Sequence, residues 1–196
     1  MKLVLIFCLS LLALSCASNP PKTDLEKVFK KIPDGEYTDL IEKYTRNDKR
    51  YEGFYNTYQV SATEINSKVQ QALLQREGYF MQWEPSKAQS EREKAVQEMS
   101  SSSHFFVTMY TPERGLNELE KANSMWKLYL EVNGLRYKGT VKKFEKNLVQ
   151  TKNLYPYFTR FNKGYVVSFE IPMTSVEKNS SVLVLTSSLG TTTFKY

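Results

Sequence analysis

The sequence predicts a mainly β chain with a helical N-terminal part, an α+β arrangement whose C-terminal half forms an antiparallel β-sandwich. Three observations carry this expectation. After His104, short runs of alternating apolar and polar residues recur between turn signals, giving six or seven strands in about 90 residues. One of those turns, Asn133-Gly134, is the dipeptide that best supports a two-residue hairpin, because both positions tolerate positive φ. The chain also contains 13 Tyr and 11 Phe, too many for a disordered segment and well suited to half-buried pleated surfaces.

Taken in order, residues 24–103 read as a mixture of helix and strand. Asp24 to Lys31 predicts a short helix with Asp24 as N-cap, ended by a turn at Pro33-Asp34-Gly35. Dense aromatics (Tyr51, Phe54, Tyr55, Tyr58) predict one strand from Tyr51 to Val60. Ser61-Ala62-Thr63-Glu64 has the form of a capping box, so a helix is expected to start near Ala62. Ile65, Val69, Ala72, Leu73, Arg76 and Phe80 then share its apolar face. Pro85 interrupts, and Ser86-Lys87-Ala88-Gln89 opens a mostly polar helix to about Met99, followed by a serine linker over residues 100–103.

Residues 104–196 read as the sandwich. Phe105 to Tyr110 is a strand closed by a turn over residues 111–115. From Met125 to Val132, Trp126, Leu128, Leu130 and Val132 take one face and Lys127, Tyr129 and Glu131 the other. Leu135 to Phe144 returns as its hairpin partner. Tyr155 to Phe161 is aromatic and loosely strand-like, Tyr165 to Ile171 alternates cleanly, and Ser181 to Ser187 pairs with Thr191 to Tyr196 across Leu189-Gly190. No internal repeat is present.

The first residues carry a processing signal. Met1-Lys2 is a short positive region and Leu3 to Leu14 is a nearly unbroken apolar run of about a dozen residues, well below the roughly 20 that span a bilayer. It ends in Leu12-Ala13-Leu14-Ser15-Cys16. This segment resembles the lipobox of bacterial lipoproteins; Ser15 fits the small residue before the cut, while Ala13 stands where Leu is most often found. The resemblance covers residues 1–16. It implies a signal peptide (1–15), a diacylglycerol thioether on Cys16 with acylation of the new amine, and a tether over residues 16–23. Palmitate is the chain a labelling experiment would follow. Ala17 is not the Asp that retains lipoproteins at the inner membrane of enteric bacteria, so the resemblance implies the outer membrane, on either its periplasmic or its surface face. Plain signal-peptide cleavage and secretion is the alternative. The C-terminal half is similar to immunoglobulin-like β-sandwich domains of uncharacterised bacterial lipoproteins.

Composition narrows the function classes. Formal charge is +6 and becomes +5 when Lys2 leaves, with the basic residues scattered, so no nucleic-acid interface is expected. Cys8 leaves with the signal peptide, and lipid occupies Cys16, so no cysteine remains for redox or catalysis. One histidine, His104, and no free thiol make a zinc site or a nucleophilic triad improbable. No metal, cofactor or catalytic residue is expected. The aromatic set Tyr155, Tyr157, Phe158 and Phe161 is either a binding surface or sandwich core. The expectation is a non-enzymatic lipid-anchored envelope protein with a binding or structural role and a protein partner. The alternatives are a carrier for an apolar ligand held between helix and sheet, and a hydrolase built on dispersed carboxylates.

Overall fold

In the computed structural model, which describes residues 29–196, the chain is mainly β, with two antiparallel sheets and several helices. Helix α1 (Asp34–Lys43) leads into the hairpin of β1 (Thr45–Glu52) and β2 (Tyr55–Glu64). Helices α2 (Ser67–Phe80) and α3 (Pro85–Ser101) follow, then β3 (Ser103–Tyr110), β4 (Lys127–Val132), β5 (Leu135–Lys138) and β6 (Thr140–Lys143). Helix α4 (Leu148–Leu154), β7 (Lys163–Phe169), the short α5 (Met173–Glu177), β8 (Ser181–Ser187) and β9 (Gly190–Lys195) complete the order. One sheet runs β1-β2-β3-β7-β6 and the other β5-β4-β8-β9.

Several expected elements differ, each for a local reason. The helix expected from Asp24 lies mostly outside the described residues, and residues 29–33 are not helical. Asp34-Gly35 opens α1 instead of forming a turn: Asp34 and Glu36 sit in the first turn, where carboxylates face the positive end of the helix dipole, and Tyr37 and Ile41 bury one face. The single strand expected over 51–60 is half of a longer hairpin, which turns at Gly53 with φ +59°. Ser61 to Glu64 continue β2, and the cap of α2 is Asn66, whose side chain accepts from the backbone N–H groups of Lys68 and Val69. Pro85 starts α3 rather than interrupting, as a proline at the first helical position does without loss of a hydrogen bond. Ser100 and Ser101 are the last turn of α3 and Ser103 is the buried first residue of β3, so there is no serine linker. Tyr155 to Phe161 is not a strand; it follows the capping box of α4, made by Asn147 and Gln150.

A division at residue 103 does not separate the sheets. β2 pairs with β3 from Gln59↔Tyr110 to Glu64↔Phe105, so the hairpin before residue 104 completes the first sheet. At Gly139 the chain passes from one sheet to the other. A Cβ there would lie 2.8 Å from Val167 Cγ1 and 3.0 Å from Phe169 Cε1, so only glycine lets the chain bend against β7.

The two sheets share one core, with Tyr58, Val60 and Ala62 of β2, Phe105, Val107 and Met109 of β3, and Val167 and Phe169 of β7 packed with Leu128 and Leu130 of β4, Leu183 and Leu185 of β8, and Phe194 of β9. A second core covers the outer face of the first sheet. There Phe106 of β3 stacks on Tyr155 at 3.6 Å and packs with Tyr37, Ile41, Val69, Leu73 and Phe158 from the helices and the segment after α4. The β1 and β9 edges meet through polar groups: Arg46 Nε donates to Lys195 O at 3.1 Å, and Arg50 Nη2 donates to Thr191 O at 2.7 Å. Thr192 Oγ1 donates to Asp48 Oδ2 at 2.6 Å. Inward-pointing charges on an edge strand also discourage pairing with another chain.

Candidate functional surfaces

The residues singled out from the sequence are scattered by the fold. Cys16 lies outside the described residues. Tyr155 and Phe158 are buried in the outer core, and Tyr157 is half-buried with its hydroxyl on Thr63 Oγ1. Of the four aromatics, only Phe161 is exposed, at 71%. Burial raises the phenol pKa of both Tyr155 and Tyr157. Packing, rather than recognition, accounts for three of the four.

His104 is held as a neutral ring. Ser102 Oγ donates to Glu98 O at 2.9 Å, so it receives the Nε2–H of His104, also at 2.9 Å. Nδ1 then accepts from Ser168 Oγ at 3.0 Å. Burial lowers the histidine pKa, and Glu98 partly opposes that. Neither serine is a base-activated nucleophile, because Ser102 has already given its proton to a backbone carbonyl.

The largest exposed aromatic group is one the sequence reading treated as a plain strand. At the tip of the β1–β2 hairpin, Tyr51 is 58% exposed, Tyr55 83% and Phe54 102%. Register sets what lies near it. Gln59 pairs with Tyr110 and Met109 with Lys163, so the tip extends beyond the same end of the sheet that carries residues 110–117 and 160–163. Those segments line a cleft of about 550 Å³ that contains Arg114, Arg160 and Lys163, with Phe161 among its walls. Lys163 donates to Asn117 O, whereas Arg114 and Arg160 form no salt bridge among the described residues. Aromatics and cations thus share one end of the molecule.

The opposite end of β2 is acidic. Glu64 and Glu177 line a cleft of about 380 Å³ together with Tyr44, Asn66, Val176 and Tyr196. Burial raises the Glu64 pKa; the Asn66 amide lowers it, Glu177 raises it and Arg46 lowers it. Glu177 Oε1 accepts from the Ser67 backbone N–H at 2.5 Å, which closes the start of α2.

Two apolar grooves lie between helices. One, of about 330 Å³, runs between α2 and α3 past Phe29, Leu74, Val96 and Met99. The other, of about 290 Å³, is bounded by Phe80, Met81, Val149 and Leu154. The space between helices and sheet is filled by the Phe106 cluster. Among the described residues no group of three or more His, Cys, Asp or Glu is placed to hold a metal, and no helix is long and apolar enough to cross a membrane. Set against known protein-family models, curated proteins and solved structures, the chain matches none.

Proposed function

We propose that the chain is a lipid-anchored, non-enzymatic protein of the outer membrane, held through Cys16 and built to bind a protein partner with its aromatic and basic end. The observation that carries the binding role is Phe54, a large apolar side chain wholly in solvent on a short, well-paired hairpin. Placing such a residue in water gains nothing for folding, so its contribution has to come from a contact with another surface. Tyr51 and Tyr55 extend the patch, and Arg114, Arg160 and Lys163 fit a partner that is acidic around an apolar centre.

The finer fold reading is a β-sandwich of immunoglobulin-like type. Antiparallel pairing and the shared core support it. The meander β1-β2-β3 within one sheet departs from the immunoglobulin order, in which the third strand crosses to the second sheet. A carrier role has weaker support, since both apolar grooves are open and lie between helices. A hydrolase reading rests on one observation, the raised Glu64 carboxyl beside Glu177. Release of nitrophenol from a panel of nitrophenyl glycosides, abolished by Glu64→Gln, would favour it.

Two experiments test the leading reading. Cys16→Ala is expected to abolish palmitate labelling and free the protein from membranes; persistent labelling refutes the anchor. A photo-crosslinking residue at position 54 in intact cells is expected to give a discrete protein adduct that is lost in a Tyr51→Ser/Tyr55→Ser background. The same probe at Asn133, on the other hairpin, is expected to give none. Equal adducts at both positions, or none at 54, refutes the docking role.

A further inference from the structure

Along β2 the inward side chains are Tyr58, Val60 and Ala62, and the next in that series is Glu64, opposite Phe105 of β3. Register therefore puts a carboxyl where the inter-sheet core would continue with another apolar residue. Glu64 is 6% exposed, and no salt bridge reaches it among the described residues. Its Oε2 accepts from Asn66 Nδ2 at 3.2 Å, while Oε1 has no hydrogen-bond partner and the residue lines the cleft. A carboxylate so placed costs folding free energy unless something cationic reaches it.

The charged neighbours leave that position open. Arg46 is the nearest cation by element, but its guanidinium is spent on the carbonyls of Lys43, Thr45 and Lys195, with the Tyr196 ring 5.1 Å away. Lys68 stands at the rim and pairs with neither glutamate. Glu177, on the facing wall, adds a second negative charge. The positive end of α2 does not compete, since its first N–H groups are taken by Glu177 and Asn66. Tyr44, Val176 and Tyr196 supply apolar wall, and Tyr196 is fixed by donating to Ala62 O at 2.7 Å.

We infer that this cleft binds a small organic ammonium ligand, its amine on Glu64 and Glu177 and its carbon body against Tyr44, Val176 and Tyr196. A bare metal ion fits less well: two carboxylates in about 380 Å³ with apolar walls leave most of the coordination sphere unfilled, whereas that volume is in the range of small-molecule pockets. The site is independent of the aromatic end and of the lipid anchor.

The test uses the full chain in detergent, titrated with 1,4-diaminobutane, 1,4-butanediol and calcium chloride and followed by calorimetry and amide chemical shifts. The diamine is expected to saturate a site whose shifts cluster at residues 44, 64–68, 176–179 and 196, and the diol is expected to leave them unmoved. Glu64→Gln, which keeps the shape and removes the charge, is expected to weaken diamine binding about tenfold or more, the scale of losing one charged partner. Lys68→Met is expected to tighten it. Affinity is expected to rise between about pH 5 and pH 8 as the buried carboxyl ionises against Glu177, Arg46 and Lys68. Equal response to the diol, an unchanged affinity in a folded Glu64→Gln variant, or tighter binding of calcium than of the diamine each overturns the inference.

Discussion

β3 and β4 are both interior strands, one in each sheet, and their sequences differ in a way that sets the shape of the molecule. β4 alternates: Leu128, Leu130 and Val132 are buried, Lys127 is exposed, and Tyr129 and Glu131 are half-buried. β3 does not alternate, since Ser103, Phe105, Phe106, Val107, Thr108 and Met109 are all buried. A strand with one polar face belongs to a sheet with one face in water; an unbroken apolar run belongs to a sheet covered on both sides. The first sheet accordingly carries α1, α2 and α4 on its outer face, whereas the outer face of the second presents Arg136 paired with Glu131 and stacked 5.1 Å over Tyr129. Phe106 is the residue that distinguishes the two strands, because it is the large apolar side chain that β3 points away from the shared core.

Removing it is expected to have the largest effect. Phe106→Ala deletes the partner of Tyr155, Phe144 and Phe158 and should cost about 3–5 kcal/mol in denaturant unfolding. Val184→Ala, on the outer face of the second sheet, is expected to cost well under half as much. Comparable losses would mean that the helical layer contributes little and that the contrast between the strands is superficial.

Gly139→Ala comes next, at about 1–3 kcal/mol, because the added Cβ meets Val167, Phe169 and Leu128 at the bend shared by both sheets. Gly35→Ala, in the first turn of α1 with nothing within 4 Å, is the control and should be neutral or slightly stabilising. A cheap Gly139→Ala would show that the two sheets are less tightly joined at this edge than the contacts imply.

The pH dependence separates the two cores in another way. Tyr37, Tyr155 and Tyr157 of the helical side have phenol pKa values raised chiefly by burial. The neutral forms are the ones the fold accepts, so their contribution is complete below about pH 10 and is lost as pH rises through the folded values. Glu64 carries the same sign at lower pH: its raised carboxyl favours the fold in acid and loses that contribution as pH rises through its folded pKa. Glu64→Gln is therefore expected to melt higher than the parent at neutral pH and to show a flatter acid limb. An unchanged acid limb would mean that the carboxyl is not held above its ordinary range.

How much of this could be read from the chain follows from the same contrast. The strands with one solvated face, β4 and β8, and the Asn133-Gly134 hairpin, with φ of 51° and 77°, stood out because alternation and turn chemistry are local signals. β3 was recognised as a strand, but its second buried face was not legible, since periodicity cannot say what covers an apolar run. The capping-box reading of residues 61–64 failed because Thr63 and Glu64 are held by pairing with Phe106 and Phe105, a long-range constraint that overrides a four-residue pattern. Tyr155 and Phe158 resembled a strand for the same reason: their partner, Phe106, is about fifty positions away in sequence. The acidic cleft needed register as well, because Glu64 and Glu177 become neighbours only once α5 packs at that end.

The smallest effect on stability should come from the most exposed residue. Phe54→Ser removes a side chain that the fold leaves in water, so the change in unfolding free energy is expected to stay within about 0.5 kcal/mol. Leu135, 61% exposed beside the Asn133-Gly134 turn, should behave alike when replaced by Ser. The two hairpins then differ only in what they lose outside the fold. Phe54→Ser is expected to weaken the crosslinked adduct at a neighbouring tip position, such as a probe at Tyr55, whereas Leu135→Ser leaves it intact. If Phe54→Ser instead destabilised the chain by as much as Gly139→Ala, the aromatic tip would be part of the folded structure, and its exposure could no longer serve as evidence for a partner.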